Sequence, residues 1–136
     1  MALREMHGGH EFHFEGNLLI AKSWGAWNLE KILSVQDDWK QEILKRNLPV
    51  WGSCIDCREW ELSTPDAWDE IFIFSKWTYD HGCRFNGNSF SKKMITNMVG
   101  EAIDETAPLV EFQAFENHDE CLAWCQKKAD EYLKLS

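Results

Sequence analysis

No apolar run in this chain approaches the length needed to span a bilayer. No Lys/Arg cluster exceeds two residues; the longest are Lys45-Arg46, Lys92-Lys93 and Lys127-Lys128. The balance is acidic, with 23 Asp and Glu against 14 Lys and Arg and a formal net charge of -9. Such a surface repels phosphate backbones and anionic headgroups, which argues against nucleic acid and membranes as partners. Residues 1–10 lack the apolar core of a secretion signal. There is no nucleophile elbow, no Gly-rich phosphate loop and no pair of carboxylates in a catalytic context, so the chain reads as a non-enzyme.

What is present suits one α/β domain. The 136 residues, 44% hydrophobic and 27% charged, can bury one core without staples. Five cysteines, an odd number, point to free thiols and a cytoplasmic location. The eight tryptophans are the strongest bias. An indole buries a large area yet carries an N–H in need of a partner, which places some of them at grooves or an interface.

Residues 1–10, with Gly8-Gly9, read as a mobile lead-in, and residues 11–136 as the domain. Glu11 to Glu15 alternates as a half-buried strand. Gly16-Asn17 is turn chemistry, and Leu18 to Lys22 returns as a second strand. Ser23 to Trp27 reads as a loop. Asn28 caps a helix to about Arg46, with Leu29, Ile32, Val35, Trp39 and Ile43 on one stripe. Val50 to Asp56 suits an interior parallel strand, followed by a loop from Glu59 to Ser63. Thr64 and Pro65 open a second helix that Gly82 closes. Arg84 to Asn88 reads as irregular, Lys92 to Val99 as a strand, and Leu109 to Phe115 as another. Asn117 with Glu120 is a capping box for a last helix carrying Leu122, Cys125, Ala129 and Tyr132 or Leu133 inward. The order β-β-α-β-α-β-β-α predicts a mixed, mostly parallel sheet of four or five strands with helices packed on it.

Three stretches resemble the STAS-like superfamily, in particular its small bacterial SpoIIAA-like (STAS/Sec14-type) branch. They are Leu18 to Trp27 with its W-x-x-W-type element, Cys54 to Trp60 ending on acidic character, and Val110 to Cys125. The likeness extends from about Glu11 to Leu133. It implies a STAS-like fold and a regulatory or binding module, and the Sec14-like relatives bind lipids. The D-S-[ST]-G element of phosphorylation-switched members is absent; Glu61-Leu62-Ser63-Thr64-Pro65-Asp66 stands in its place.

Ser63-Thr64 could accept a phosphate at a helix N-terminus, although Asp66 and Asp69 oppose it and an ordinary cap explains it. Cys54 and Cys57 match C-x-x-C, but on a strand residues three apart face opposite sides. Cys121 and Cys125 share a helix face and could form a zinc site with Cys54, Cys57 or Cys83; packing thiols are the simpler account, and no metal or cofactor is expected. His7, His10, His13 and Glu11 have metal-like chemistry without the H-E-x-x-H spacing. The favoured site is a cleft at the carboxyl ends of the strands, with Trp24, Trp27 and Trp60 as walls and Asp56 and Arg58 as floor. It predicts docking of another protein or a second copy through the second helix and these loops, with a homodimer as one form. The alternative is a carrier of a small apolar molecule, which an enclosed pocket walled by these indoles or by aromatics of the second helix would favour.

Overall fold

A computed structural model describes residues 8–62, 67–92 and 110–135. The described strands are β1 (Gly9–Glu15), β2 (Leu18–Trp27), β3 (Trp51–Leu62), β4 (Cys83–Phe90) and β5 (Glu111–Phe115). The described helices are α1 (Leu29–Arg46), α2 (Ala67–Asp80) and α3 (His118–Leu135). The five strands form one sheet in the order β1-β2-β3-β4-β5. β1 is antiparallel to β2, and all other neighbours are parallel.

The crossovers β2-α1-β3 and β3-α2-β4 step the same way along the sheet. Right-handed connections therefore place both helices on one face. Ile32, Val35, Trp39 and Ile43 of α1 and Ile71 and Phe74 of α2 pack there against Leu19, Ala21, Trp51 and Ile55. α3 covers the opposite face, where Cys121, Cys125 and Ala129 meet Leu18, Cys54 and Phe85. Two cores thus lie either side of one sheet.

The caps are those the sequence predicts. Asn28 Oδ1 accepts the Lys31 N–H at 2.9 Å, and Asn117 Oδ1 accepts that of Glu120 at 3.0 Å. α1 ends on Asn47 in the left-handed region, φ 51°, a conformation asparagine tolerates. Gly52 is required by packing: a Cβ there would lie 2.2 Å from the Phe85 ring.

Four boundaries differ from the sequence reading. β1 begins at Gly9, so Gly9 and His10 belong to the strand and not to a lead-in. Ser23 to Trp27 and Glu59 to Leu62 are strand, because β2 and β3 stay paired through a bulge between Lys22 and Trp24. Arg84 to Asn88 is the core of β4, not irregular. Its alternation is hidden because a register shift against Trp51 and Gly52 of β3 falls at Arg84, and between Phe85 and Phe90 every residue is polar or glycine. Leu133 of α3 is exposed, so Tyr132 is the inward residue of that pair. The expected strand over Lys92 to Val99 and the cap at Thr64-Pro65 fall almost wholly outside the described residues, with Lys92 alone described, and helical. Among the described residues no helix is long and apolar enough to cross a membrane.

Candidate functional site

Between the sheet and the α1–α2 pair lies a cavity of about 170 Å³. Its sheet side carries Ser23, Ser53, Ile55, Asn86 and Asn88, and its helical side Val35, Gln36, Phe72, Ser75 and Thr78. Among the described residues four indoles line it: Trp27, Trp39, Trp51 and Trp60. Trp27 and Trp60 meet edge to face with ring centroids 5.8 Å apart. The space lies where Ser23, Ser53, Asn86 and Asn88 of the strands face Val35 of α1 and Ser75 and Thr78 of α2, none of them large enough to fill it. No charged side chain is among its described lining residues. Its two thiols are neutral as well. Burial pushes Cys57 far above the ordinary thiol value and Cys83 up to about 12.

A few polar groups interrupt this apolar lining. Ser53 Oγ donates to Asn86 Oδ1 at 2.9 Å, and Thr78 Oγ1 to the Ser75 carbonyl at 2.7 Å. Asn88 uses its Nδ2 on Cys57 Sγ at 3.9 Å, while its Oδ1 is buried with no hydrogen-bond partner. Trp39 Nε1 is buried and unpartnered too. Such groups normally find a partner, because an unsatisfied buried donor or acceptor costs about 1–3 kcal/mol. One acceptor and one donor on lining residues are therefore without a partner.

The sheet divides the residues expected to share one cleft. Trp27 and Trp60 face the cavity. Trp24 lies in β2 on the opposite face, over Gly9 of β1. Asp56 and Arg58 are on that opposite face as well, at the end of α3, so they do not floor the indole pair. Asp56 takes Arg58 Nε and Nη2 at 3.0 and 2.9 Å and the Arg58 backbone N–H at 3.1 Å. Burial alone would raise its pKa; the bonds from Arg58 outweigh it and hold the carboxyl below its ordinary value. Ser63 and Thr64 lie outside the described residues. His10 and His13 diverge: His10 stacks on Phe12 near Trp39, and His13 pairs with Glu15 at the surface. His7 lies outside the described residues.

A buried polar chain continues from Asp56. Ser89 Oγ donates to Asp56 Oδ1 at 3.4 Å and shares a 2.8 Å hydrogen bond with His118 Nδ1. The hydroxyl has one proton to give, so His118 Nδ1 supplies the proton of the second bond. Serine sits between acid and imidazole here, unlike a hydrolytic triad, in which the imidazole is central. Below this chain Cys54 Sγ and Cys121 Sγ lie 3.8 Å apart. Cys57 and Cys83 belong to the other core, as strand alternation predicts for Cys57.

The sequence reading named two of the four lining indoles and neither asparagine. Asn86-Gly87-Asn88 carries the missed signal: polar residues flanking a glycine on a central strand have no place in a filled core.

No known family model matches the chain, and no curated protein matches it. Its fold matches an uncharacterized protein from the DUF3478 family with a SpoIIAA-like fold, from Shewanella loihica PV-4. The TM-score is 0.63 at 19% identity, covering 87% of this chain and 94% of that one. The fold is thus SpoIIAA-like, as the sequence resemblance implies.

Proposed function

We propose that this chain binds, and acts as a carrier of, a small, neutral, mostly apolar molecule in the cavity under α1 and α2. The observation that carries this reading is the lining itself: four indoles, no charged group among the described residues, and two buried polar atoms without partners. Apolar walls with a few placed polar groups are the usual make-up of a small-molecule site. The size narrows the guest. A dry cavity of about 150 Å³ holds benzene, so about 170 Å³ suits one aromatic ring or a short alkyl chain rather than a whole lipid. A hydroxyl on that guest would give its proton to Asn88 Oδ1 or accept one from Trp39 Nε1.

Phenol and benzene test the reading as a pair, followed by indole fluorescence. Both bind the wild-type chain. Asn88→Leu lowers the phenol-to-benzene affinity ratio about fivefold, the worth of one hydrogen bond of about 1 kcal/mol. Emission unmoved by either probe, or an unchanged ratio in the variant, contradicts the proposal.

A second reading, a regulatory module docking another protein or a second copy through α2, draws on Ile73, which is 63% exposed. A single exposed aliphatic side chain is ordinary, so the cavity supports its reading more strongly. Self-association abolished by Ile73→Asp in sedimentation would favour docking. A cytoplasmic setting accords with five cysteines that are all free and buried.

A further inference from the structure

On the sheet face away from the cavity, two thiols and an imidazole converge, with a third thiol next to them. Cys54 comes from β3; His118, Cys121 and Cys125 come from the first two turns of α3 at steps of three and four. Those steps put all three helix residues on one side. Cys54 Sγ, Cys121 Sγ and a ring nitrogen of His118 lie within 4.8 Å of one another. Cys125 is not one of that close trio; it stands beside it over Gly87, its thiol donating to the Ser53 carbonyl at 3.5 Å, and an added Cβ at Gly87 would stand 2.4 Å from Cys125 Sγ and 3.2 Å from Cys121 Sγ. The glycine opens the niche in which the sulfurs gather.

We propose that Cys54, His118, Cys121 and Cys125 form a zinc site that ties α3 to the sheet. This site is separate from the cavity and independent of what the cavity binds. The donor set, three sulfurs and one imidazole, is a common one for structural Zn²⁺. The spacing fits: a tetrahedron with Zn–S of about 2.3 Å has S···S edges of about 3.8 Å, and Cys54 and Cys121 lie 3.8 Å apart. A packing contact does not require the imidazole to join them. The imidazole is also held as an outer shell would hold it. Its Nδ1–H goes to Ser89, and Ser89 donates to Asp56, which also accepts from Arg58; this leaves Nε2 as the ring nitrogen free for a metal. His118 is half-buried and borders a polar cleft with Arg58, Glu116 and Asp119, a route by which a cation can enter.

Zinc binds thiolates, so its binding would displace thiol protons and release them to solvent.

The test loads metal-stripped protein with Zn²⁺, removes the excess on a chelating resin and counts metal per chain. One ion per chain is expected, lost in Cys54→Ala and Cys121→Ala and kept in Cys57→Ala and Cys83→Ala, which remove thiols from the other core. Ser89→Ala should weaken zinc affinity by roughly 10- to 100-fold with the four ligands intact. Co²⁺ in the unmutated chain covers the case in which a cysteine variant fails to fold. The proposal expects a thiolate-to-cobalt charge-transfer band and intense four-coordinate visible bands. No retained zinc, zinc undiminished in the folded cluster variants, or a six-coordinate cobalt spectrum without the charge-transfer band overturns it.

Discussion

Val35→Phe decides whether the cavity is space or packed core. Val35 is 2% exposed on α1 and lines the cavity. At about 24 cal/mol per Å³, a void of about 170 Å³ represents about 4 kcal/mol of contact not made. A guest that restores this contact binds with a Kd of about 1 mM from filling alone. At ten times that concentration benzene adds about 1.4 kcal/mol, a rise of about 5 °C in the melting temperature for a chain of this size. The larger side chain adds roughly 50 Å³, worth about 1.2 kcal/mol, if it swings into the void. If the region is already packed, the same change costs about 1–3 kcal/mol. The sign therefore discriminates. Thermal unfolding followed by circular dichroism should show Val35→Phe melting about 4 °C higher than the parent and responding little to benzene. A variant that melts lower, or that keeps the full benzene shift, refutes the reasoning.

Other perturbations probe the frame around the cavity. Arg58→Ala removes the partner that holds Asp56 ionised. Arg58 is 47% exposed, so screening limits the loss at pH 7 to about 1 kcal/mol. The folded pKa of Asp56 is depressed, so its contribution is present above the unfolded value and lost as pH falls through the folded one. Urea unfolding of the variant should lose that contribution at higher pH than the parent; identical pH profiles would remove Arg58 as the cause. His10 is depressed by burial first and by Lys31 second, which together outweigh Asp38 at 3.3 Å. The unfolded chain therefore takes up this proton first, and stability falls as pH drops below about 6.5. His10→Phe should flatten that part of the curve, and an unaltered slope would assign it elsewhere. Gly52→Ala drives a methyl into the Phe85 ring and should cost about 1–3 kcal/mol in chemical denaturation; a neutral result would mean that β3 and β4 shift apart freely.

Regular elements with full periods were legible from sequence. The stripe Ile32, Val35, Trp39 and Ile43, and the caps at Asn28 and Asn117, state α1 and α3 in local chemistry alone. β4 was not legible, because a central strand is recognised by apolar residues and this one spends its two faces otherwise. Asn86 and Asn88 line the cavity on one side; Gly87 makes room for sulfur on the other. The ends of β2 and β3 look like loops in sequence because Gly25 and the charged Arg58, Glu59 and Glu61 interrupt alternation, while the bulge that keeps the strands paired is a tertiary feature. The candidate site was half legible. Trp27 and Trp60 meet edge to face, while Trp24, Asp56 and Arg58 lie across the sheet, because sequence locates a strand end but not the face a side chain takes beyond a bulge. Convergence of Cys54 with Cys121 and Cys125 was one of three pairings the spacing left open, and the strand face of Cys54 selects it.

Native mass spectrometry of this protein isolated from the cells that make it tests the central claim most directly. The account predicts one neutral organic molecule per chain, of the size of a single ring or a short chain, released on denaturation and missing from Val35→Phe. Bare chain in the wild type, together with no uptake of added phenol or benzene, would contradict it.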